Sequence, residues 1–274
     1  MSAAPRICEY VVDGNPSGPT LLFIHGWPDD ANLWRKQVSV LANDYRCIRV
    51  TLPNFGVRAV KSGGFNFPQL VTMLVSTIDE VQTDGSPLTL ITHDWGAYLG
   101  YLLEQAHPEK IERLVALDIG GHISPNSLRE SLFIIGYQWT LILLWLVGGV
   151  IPPLGNALTR NFAAALGVPA RQAKTVRSRN NYPYFYLWRG LLLPCWRRQL
   201  LTRYRPQRPV LFLWGCKKPV MFHSRRWLDM VEQTGGSNTG IEGAGHWLME
   251  SHPGEVNQVI SAWLHVKAAA AVHD

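Results

Sequence analysis

Short apolar runs alternate with amphipathic stretches along most of this chain of 274 residues, and the alternation limits the folds open to it. The apolar runs are Ile7–Val12, Thr20–Ile24, Cys47–Leu52, Leu88–Thr92, Ile111–Asp118 and Pro209–Trp214. The stretches with helical periodicity are Trp34–Leu41, Pro68–Val81, Gly96–Ala106 and Pro253–Lys267. Strands that alternate with helices indicate βαβ units, so the sequence predicts an α/β fold with a mainly parallel central sheet.

The regular alternation stops between Gly120 and Gln207, in a span rich in Trp, Tyr, Pro and Arg. We therefore predict a core made of residues 1–120 and 208–274, with a helical cap over residues 121–207. The cap begins with 24 uncharged residues, Ser131–Leu154, a length sufficient for a transmembrane helix. A spanning helix would put the two halves of one sheet on opposite sides of a membrane. We expect instead a cap helix that packs on the core.

Charge is unevenly distributed along the chain. The formal net charge is +6, yet residues 131–228 contain fifteen Lys and Arg and no Asp or Glu. No recognisable nucleic-acid-binding module accompanies these charges, so we expect no nucleic-acid partner. A basic region beside an apolar stretch favours reversible binding to an anionic membrane surface, which predicts peripheral membrane association through the cap. The alternative is an arginine-rich surface exposed to solvent.

The cysteines and the first residues bear on location and cofactors. Cys8, Cys47, Cys195 and Cys216 have no paired spacing for metal or redox chemistry. The opening MSAAPRICEYVV lacks the pattern of a secretory signal. We therefore expect a cytoplasmic protein that uses neither a metal nor an organic cofactor.

The segment Thr92-His93-Asp94-Trp95-Gly96 has the pattern small-X-nucleophile-X-small, where a strand turns sharply into a helix. Such a turn lifts the central side chain clear of the sheet edge and aims the Trp95 backbone N–H at whatever Asp94 attacks. A buried carboxylate is costly unless it has a function. We predict that Asp94 is a nucleophile; the alternative is an Asp that caps the following helix.

Two other segments fit the same chemistry. His25-Gly26-Trp27-Pro28 follows an apolar strand, and its Trp27 N–H is a candidate second donor to an oxyanion. Far downstream, Gly243-Ala244-Gly245-His246-Trp247 places a His in a Gly-rich loop before the last helix. A single His in a loop is ordinarily a surface residue. The chain order of nucleophile and late His, however, is that of the α/β-hydrolases.

The motifs HGWP, HDWGA and GAGHW, with an insertion after the sixth strand, resemble the α/β-hydrolase superfamily from Thr20 to about Leu264. The most similar branch is the one with an Asp nucleophile, which holds the epoxide hydrolases and haloalkane dehalogenases. The chain contains no Gly-X-Ser-X-Gly segment, which argues against a serine esterase. The resemblance implies an alkyl-enzyme ester on Asp94 that water activated by His246 then hydrolyses.

One position departs from the family pattern. The acid that holds the His usually lies in a segment similar to W-G-x-x-D-P, and here Trp214–Pro219 has Lys218 in its place. A lysine would oppose an imidazolium rather than stabilise it. We predict Asp118 as the acid, because some haloalkane dehalogenases place theirs at a similar strand end, and Glu242 is a second candidate. If neither serves, the chain is a hydrolase-like binding protein.

The cap is expected to separate epoxide from halide chemistry. The resemblance implies two cap tyrosines that donate hydrogen bonds to an epoxide oxygen. Tyr137, followed by Gln138, resembles the first, and we prefer Tyr186 as the second within Asn181–Arg189. The ordinary role of such residues is aromatic packing.

A dehalogenase needs N–H donors for the halide instead. The Trp95 indole supplies one, but the Asn often found after His-Gly is Trp27 here. We therefore predict hydrolysis of a small apolar epoxide, with halide release as the alternative; the Trp and Leu content of the cap indicates the apolar substrate.

Overall fold

The computed structural model describes residues 6–56, 61–125 and 127–270. Its strands are β1 Glu9–Gly14, β2 Thr20–Ile24, β3 Arg46–Thr51, β4 Leu88–His93, β5 Ile111–Leu117, β6 Val210–Gly215 and β7 Ser237–Ile241. They form one sheet in the order β1-β3-β2-β4-β5-β6-β7. β1 runs antiparallel to β3, and the other described pairs are parallel. The predicted α/β fold with a mainly parallel sheet is confirmed.

Helices cover both faces of the sheet. They are α1 Arg35–Leu41, α2 Phe67–Val81, α3 Trp95–Ala106, α4 Leu128–Val150, α5 Pro152–Ala165, α6 Ala170–Thr175, α7 Tyr182–Leu192, α8 Arg225–Gln233, α9 Leu248–Ser251 and α10 Pro253–Ala270. Apolar side chains of α1, α9 and α10 form the core on one face. Those of α2, α3 and α8 form the core on the other face. With both faces covered, β2 and β4 are buried throughout, which explains their unbroken apolar sequences.

Two elements near the carboxyl terminus carry weak sequence signals and were not predicted. β7 reads Ser-Asn-Thr-Gly-Ile, which is too polar for a strand signal, and it forms by pairing with β6. The preceding α8 is largely hydrophilic and buries only Trp227 and Val231. Tertiary contacts outweigh local propensity in both elements.

The strand register sets the position of the candidate site. His93 at the end of β4 pairs with Leu117 at the end of β5, so the next residues, Asp94 and Asp118, emerge side by side. β2 lies on the other side of β4. Because parallel strands end at the same edge, the loops after β2, β4, β5, β6 and β7 meet there.

The chain between β5 and β6 carries α4 to α7; we call residues 128–199 the helical insertion. The strand before it is the fifth of the described strands, whereas the resemblance implied an insertion after the sixth. α4 and α5 cross closely at two glycines, since a Cβ on Gly155 would lie 2.3 Å from the Gly148 Cα.

α4 contains most of the uncharged stretch, and it is the helix among the described residues that is long and apolar enough to cross a membrane. Only Leu141 and Ile142 of this helix are buried. The expectation that the stretch packs on the core is therefore wrong for most of its length. One face of α4 contacts α5 and α7, and the other faces solvent.

Candidate active site

The turn between β4 and α3 holds Asp94 in a sharp, strained backbone conformation. Its φ of 53° and ψ of −123° lie outside the regions that non-glycine residues usually adopt. A Cβ on Gly96 would lie 2.1 Å from the Ile24 carbonyl oxygen, and one on Gly26 would lie 2.2 Å from Asp94 Oδ1. The loops after β2 and β4 thus approach so closely that Gly26 and Gly96 have no room for a side chain.

The two carboxylate oxygens of Asp94 have different surroundings. The Trp27 backbone N–H donates to Oδ1 at 2.6 Å, and the Trp95 backbone N–H lies close enough to lower the pKa of the carboxyl group. Oδ2 lies 3.7 Å from His246 Nε2. Burial raises the pKa of Asp94, against the opposing effects of His246 and the two N–H groups. One oxygen is therefore held by the Trp27 amide, while the other points towards the imidazole.

A buried chain of charges extends from His246. Its Nδ1 donates to Asp118 Oδ2 at 2.5 Å. The other oxygen of Asp118 accepts from Lys218 Nζ at 2.5 Å and from the Gly215 N–H at 3.2 Å. The Asp118 side chain is fully buried and that of Lys218 is 3% exposed. One carboxylate thus orients the imidazole and neutralises the lysine that replaces the usual acid.

This arrangement sets the direction of both pKa shifts. Burial by itself would raise the pKa of Asp118, but Lys218 and His246 outweigh it and hold that pKa well below its usual value. Burial would lower the pKa of His246, but the negative charges of Asp118 and Asp94 outweigh it and raise that pKa, with Lys218 opposing them. Asp118 is therefore ionised, and His246 is a strengthened base.

The second candidate acid does not join this cluster. Glu242 is exposed, and it lies near the Cys216 thiol, whose pKa burial and this carboxylate raise. Asp118 is the carboxylate that reaches His246 Nδ1.

Two supporting contacts around His246 have no signal in the sequence. The His93 ring lies 4.5 Å from the His246 ring between centroids, and its Nε2 is 3.0 Å from the His246 carbonyl oxygen. Trp247, the next residue, donates from Nε1 to Asp29 Oδ2 at 3.1 Å. Burial raises the pKa of Asp29 to about 7. These contacts hold the Gly-rich loop against the sheet edge.

A cavity of about 590 Å³ opens over Asp94 and His246. Its wall is mostly apolar and combines core residues with Phe133, Tyr137, Leu166 and Tyr184 of the helical insertion. Among the described residues, no group of three or more His, Cys, Asp or Glu is arranged to hold a metal ion.

The structure brings Tyr137 to the cavity and does not bring Tyr186. The Tyr186 hydroxyl donates to the Gly63 carbonyl at 2.8 Å, away from the cavity wall. Tyr184, two residues earlier, takes the predicted place. Residues two apart on a helix point in nearly opposite directions, so the preference for Tyr186 selected the wrong face of α7.

The two cavity tyrosines lie together on the wall above Asp94. Their ring centroids are 6.0 Å apart, and the Tyr184 ring is 5.1 Å from that of Trp95. Burial, with a smaller contribution from the Asp94 charge, raises the pKa of both phenols. Both therefore stay protonated and can donate hydrogen bonds.

Asn181 links the insertion to the loop that carries Trp27. Trp27 Nε1 donates to Asn181 Oδ1 at 2.8 Å, and Asn181 Nδ2 donates to the Leu141 carbonyl at 3.2 Å. The side chain is fully buried, so these bonds satisfy groups that would otherwise be costly. A single Asn has no periodicity, and sequence reasoning gave it no role.

Known proteins resemble this chain in sequence and in structure. The model of the family described as "Alpha/beta hydrolase family" matches residues 21–259. Epoxide hydrolase 1 of Caenorhabditis elegans is 22% identical over 276 residues, which cover 94% of this chain and 67% of that protein.

Two solved structures share the architecture. A thermophilic esterase from Thermogutta terrifontis has a TM-score of 0.68 at 17% identity, covering 94% of this chain and 92% of that one. A loop variant of a haloalkane dehalogenase from Bradyrhizobium elkanii has a TM-score of 0.66 at 19% identity, covering 97% and 95%. At such identities the likeness establishes the fold and leaves the reaction open.

Proposed function

The chain belongs to the alpha/beta hydrolase family, and on that premise we propose that it opens apolar epoxides to diols through a covalent ester on Asp94. Sequence relatives and structural neighbours together make it a hydrolase of the epoxide hydrolase and dehalogenase type. The observation that supports epoxide opening in particular is the pair of protonated phenols, Tyr137 and Tyr184, on the cavity wall above Asp94.

The first step is attack of Asp94 Oδ2 on an epoxide carbon. A bond forms between that oxygen and the carbon, and the ring C–O bond breaks. The developing alkoxide takes a proton from the hydroxyl of Tyr137 or Tyr184, since a poor leaving group needs a positioned acid. The products are an ester on Asp94 and a tyrosinate.

The second step is hydrolysis of the ester. His246 Nε2 removes a proton from water, and the hydroxide adds to the Asp94 carboxyl carbon. The negative charge falls on Oδ1, within reach of the Trp27 and Trp95 N–H groups. Collapse of this intermediate breaks the ester C–O bond, and the proton of the added hydroxyl passes to the leaving alkoxide, which gives the diol and restores the Asp94 carboxylate. The proton held by His246 returns to the tyrosinate through solvent. The net reaction is epoxide plus water to diol.

The alternative functions have less support. Halide release needs free N–H donors in the cavity. The Trp27 indole is bonded to Asn181, and the Trp95 indole N–H, which has no hydrogen-bond partner among the described residues, belongs to a residue that does not line the cavity. A binding protein without turnover was motivated by Lys218. The bond between Asp118 and His246 supplies an acid and removes that motive.

Trapping the ester tests the proposal. His246→Gln keeps the nucleophile and removes the base, so incubation with styrene oxide should add the mass of the epoxide to Asp94, as read by peptide mass spectrometry. His107→Gln, a change at a half-exposed His on the core, serves as the control and should turn over without an adduct.

The same experiment separates the alternatives. An Asp94 adduct formed from 1-bromohexane with bromide release, and none from the epoxide, would support dehalogenation. No adduct from either reagent, with a folded protein, would overturn the covalent mechanism.

A further inference from the structure

One face of α4 exposes a continuous row of large apolar side chains, which we call the apolar stripe. Its members follow one another at intervals of three and four residues, the spacing of a single helix face. They are 38% to 83% exposed: Leu128, Leu132, Ile135, Trp139, Leu143, Leu146 and Val150. The stripe runs the whole helix, about 33 Å. Soluble monomers rarely expose apolar patches larger than a few hundred Å².

Neighbouring elements of the helical insertion extend this surface. Ile151, Leu154 and Leu158, at the start of α5, are 39% to 51% exposed. At the end of α7, residues 191–193 are three leucines exposed by 46% to 58%. The Trp188 ring lies 5.3 Å from that of Trp139, so the end of α7 lies beside the apolar stripe.

Unpaired cations border the same surface. Arg197 and Arg198 lie four and five residues after the last of these leucines and are exposed, as are Arg171 and Lys174 on α6, which contacts α5. In the described parts of the chain, no salt bridge involves any of these four. The absence of Asp and Glu from residues 131–228 gives them no local counter-charge.

These cations indicate which kind of binding partner suits the apolar stripe. A second copy of the chain, paired through the apolar stripe, would bring two cationic borders together, and like charges oppose such an interface. An anionic lipid surface meets both features, since apolar side chains enter the acyl boundary and arginines meet the headgroups.

A flat orientation of α4 fits the contacts on its other face. That face carries Tyr137, which lines the cavity, and Leu141, whose carbonyl is bonded to Asn181. A helix that crossed the bilayer would lose both. We propose that the helical insertion binds the surface of an anionic membrane, with the apolar stripe lying in the headgroup and acyl boundary.

The cavity reaches this surface. Phe133, which is 41% exposed, lines the cavity and is next to Leu132 of the apolar stripe. If the proposed function holds, an apolar epoxide dissolved in the bilayer has a route to Asp94 that avoids bulk water. The membrane binding itself does not depend on that function.

Vesicle flotation tests the proposal with the full chain. We expect the protein to float with vesicles of phosphatidylcholine plus phosphatidylglycerol at low salt. It should stay behind with phosphatidylcholine alone, and binding should fall as salt is added. Leu143→Gln with Leu146→Gln should weaken binding by about tenfold or more. Arg197→Gln with Arg198→Gln should weaken it and reduce its salt dependence.

Matched controls keep the outcome clear. The double variant Val11→Gln with Val40→Gln changes two apolar side chains outside the insertion that are 47% and 46% exposed. This variant should float like the wild type. The Leu143 and Leu146 variant should keep its melting temperature and its turnover of a water-soluble epoxide. Leu191→Gln with Leu192→Gln is a second variant, in case the first fails to fold.

Three results would overturn the proposal. One is wild-type protein that stays in the soluble fraction with anionic vesicles at low salt. Another is unchanged flotation of both leucine variants. The third is a concentration-dependent dimer in sedimentation equilibrium that the leucine changes disperse, without vesicle binding; that would assign the surface to a second copy. An inactive protein that floats would reject the proposed function and leave this inference standing.

Discussion

The carboxyl edge of the sheet buries charged side chains, whereas the outer face of the helical insertion exposes apolar ones. At the sheet edge, Asp118 and Lys218 are buried, and each has a charged partner within hydrogen-bond distance. On the insertion, the apolar stripe lies in solvent, and the arginines beside it have no local acid. Both arrangements oppose the usual separation of apolar interior from charged surface.

The two regions differ in what offsets the unfavourable placement of their side chains. A buried carboxylate is destabilising unless other charges and hydrogen bonds offset its desolvation, and at the sheet edge His246, Lys218 and Gly215 do so. An exposed leucine forgoes about 1.5–3 kcal/mol of burial, and no packing among the described residues supplies it. The charges of the sheet edge are compensated within the protein, whereas the apolar side chains on the outer face of the insertion are not covered by the described residues.

The largest effect should come from the acid at the sheet edge. Asp118→Asn removes the charge that holds His246 and leaves Lys218 buried without its partner, so we expect kcat for epoxide hydrolysis to fall by about 10³–10⁴. Glu242→Gln, at the other candidate acid, should retain nearly full kcat. If Asp118→Asn turns over within tenfold of the wild type, or Glu242→Gln is the slower of the two, the assignment of the acid is wrong.

A smaller effect is expected on the inner face of the insertion. Tyr184→Phe removes one of two phenols, and the remaining Tyr137 can still protonate the alkoxide. We expect kcat to fall by about 10 to 100-fold, and further when Tyr137→Phe is combined with it. Tyr186→Phe is the matched control, since its hydroxyl is bonded to Gly63, and should stay within about twofold. A Tyr186→Phe variant slower than Tyr184→Phe would contradict the geometry.

The smallest change in rate should come with a change in pH dependence. Lys218 lowers the pKa of His246, against the raising effects of Asp118 and Asp94. Lys218→Met removes that positive charge, so the pKa of His246 rises. Because His246 acts as a base when neutral, the acidic limb of kcat/KM against pH should move to higher pH.

A surface ion pair offers the comparison for this variant. Lys110 pairs with Asp79 on the surface, and Lys110→Met should leave the pH profile in place. An acidic limb that stays fixed or moves to lower pH in Lys218→Met would show that the lysine does not act through His246.

The local sequence pattern was sufficient to predict features that depend on a single strand, helix or turn. The apolar runs identified six of the seven described strands, and the elbow around Asp94 follows from the small residues that the two approaching loops require. Asp118 could be predicted as the acid because it lies at the end of a strand. Tyr186 was chosen over Tyr184 because two tyrosines two residues apart read alike until the face of α7 is known.

The sequence alone was enough for the α/β architecture, the order of Asp94 and the late His, and the separation of charge along the chain. These depend on periodicity and spacing, which are local properties. Which carboxylate meets His246 required the fold, since Asp118 and His246 are 128 residues apart and meet because β5 and β7 end at the same edge of the sheet. The fold also leaves an apolar face of α4 exposed to solvent, because burial depends on what packs against a helix and not on its composition.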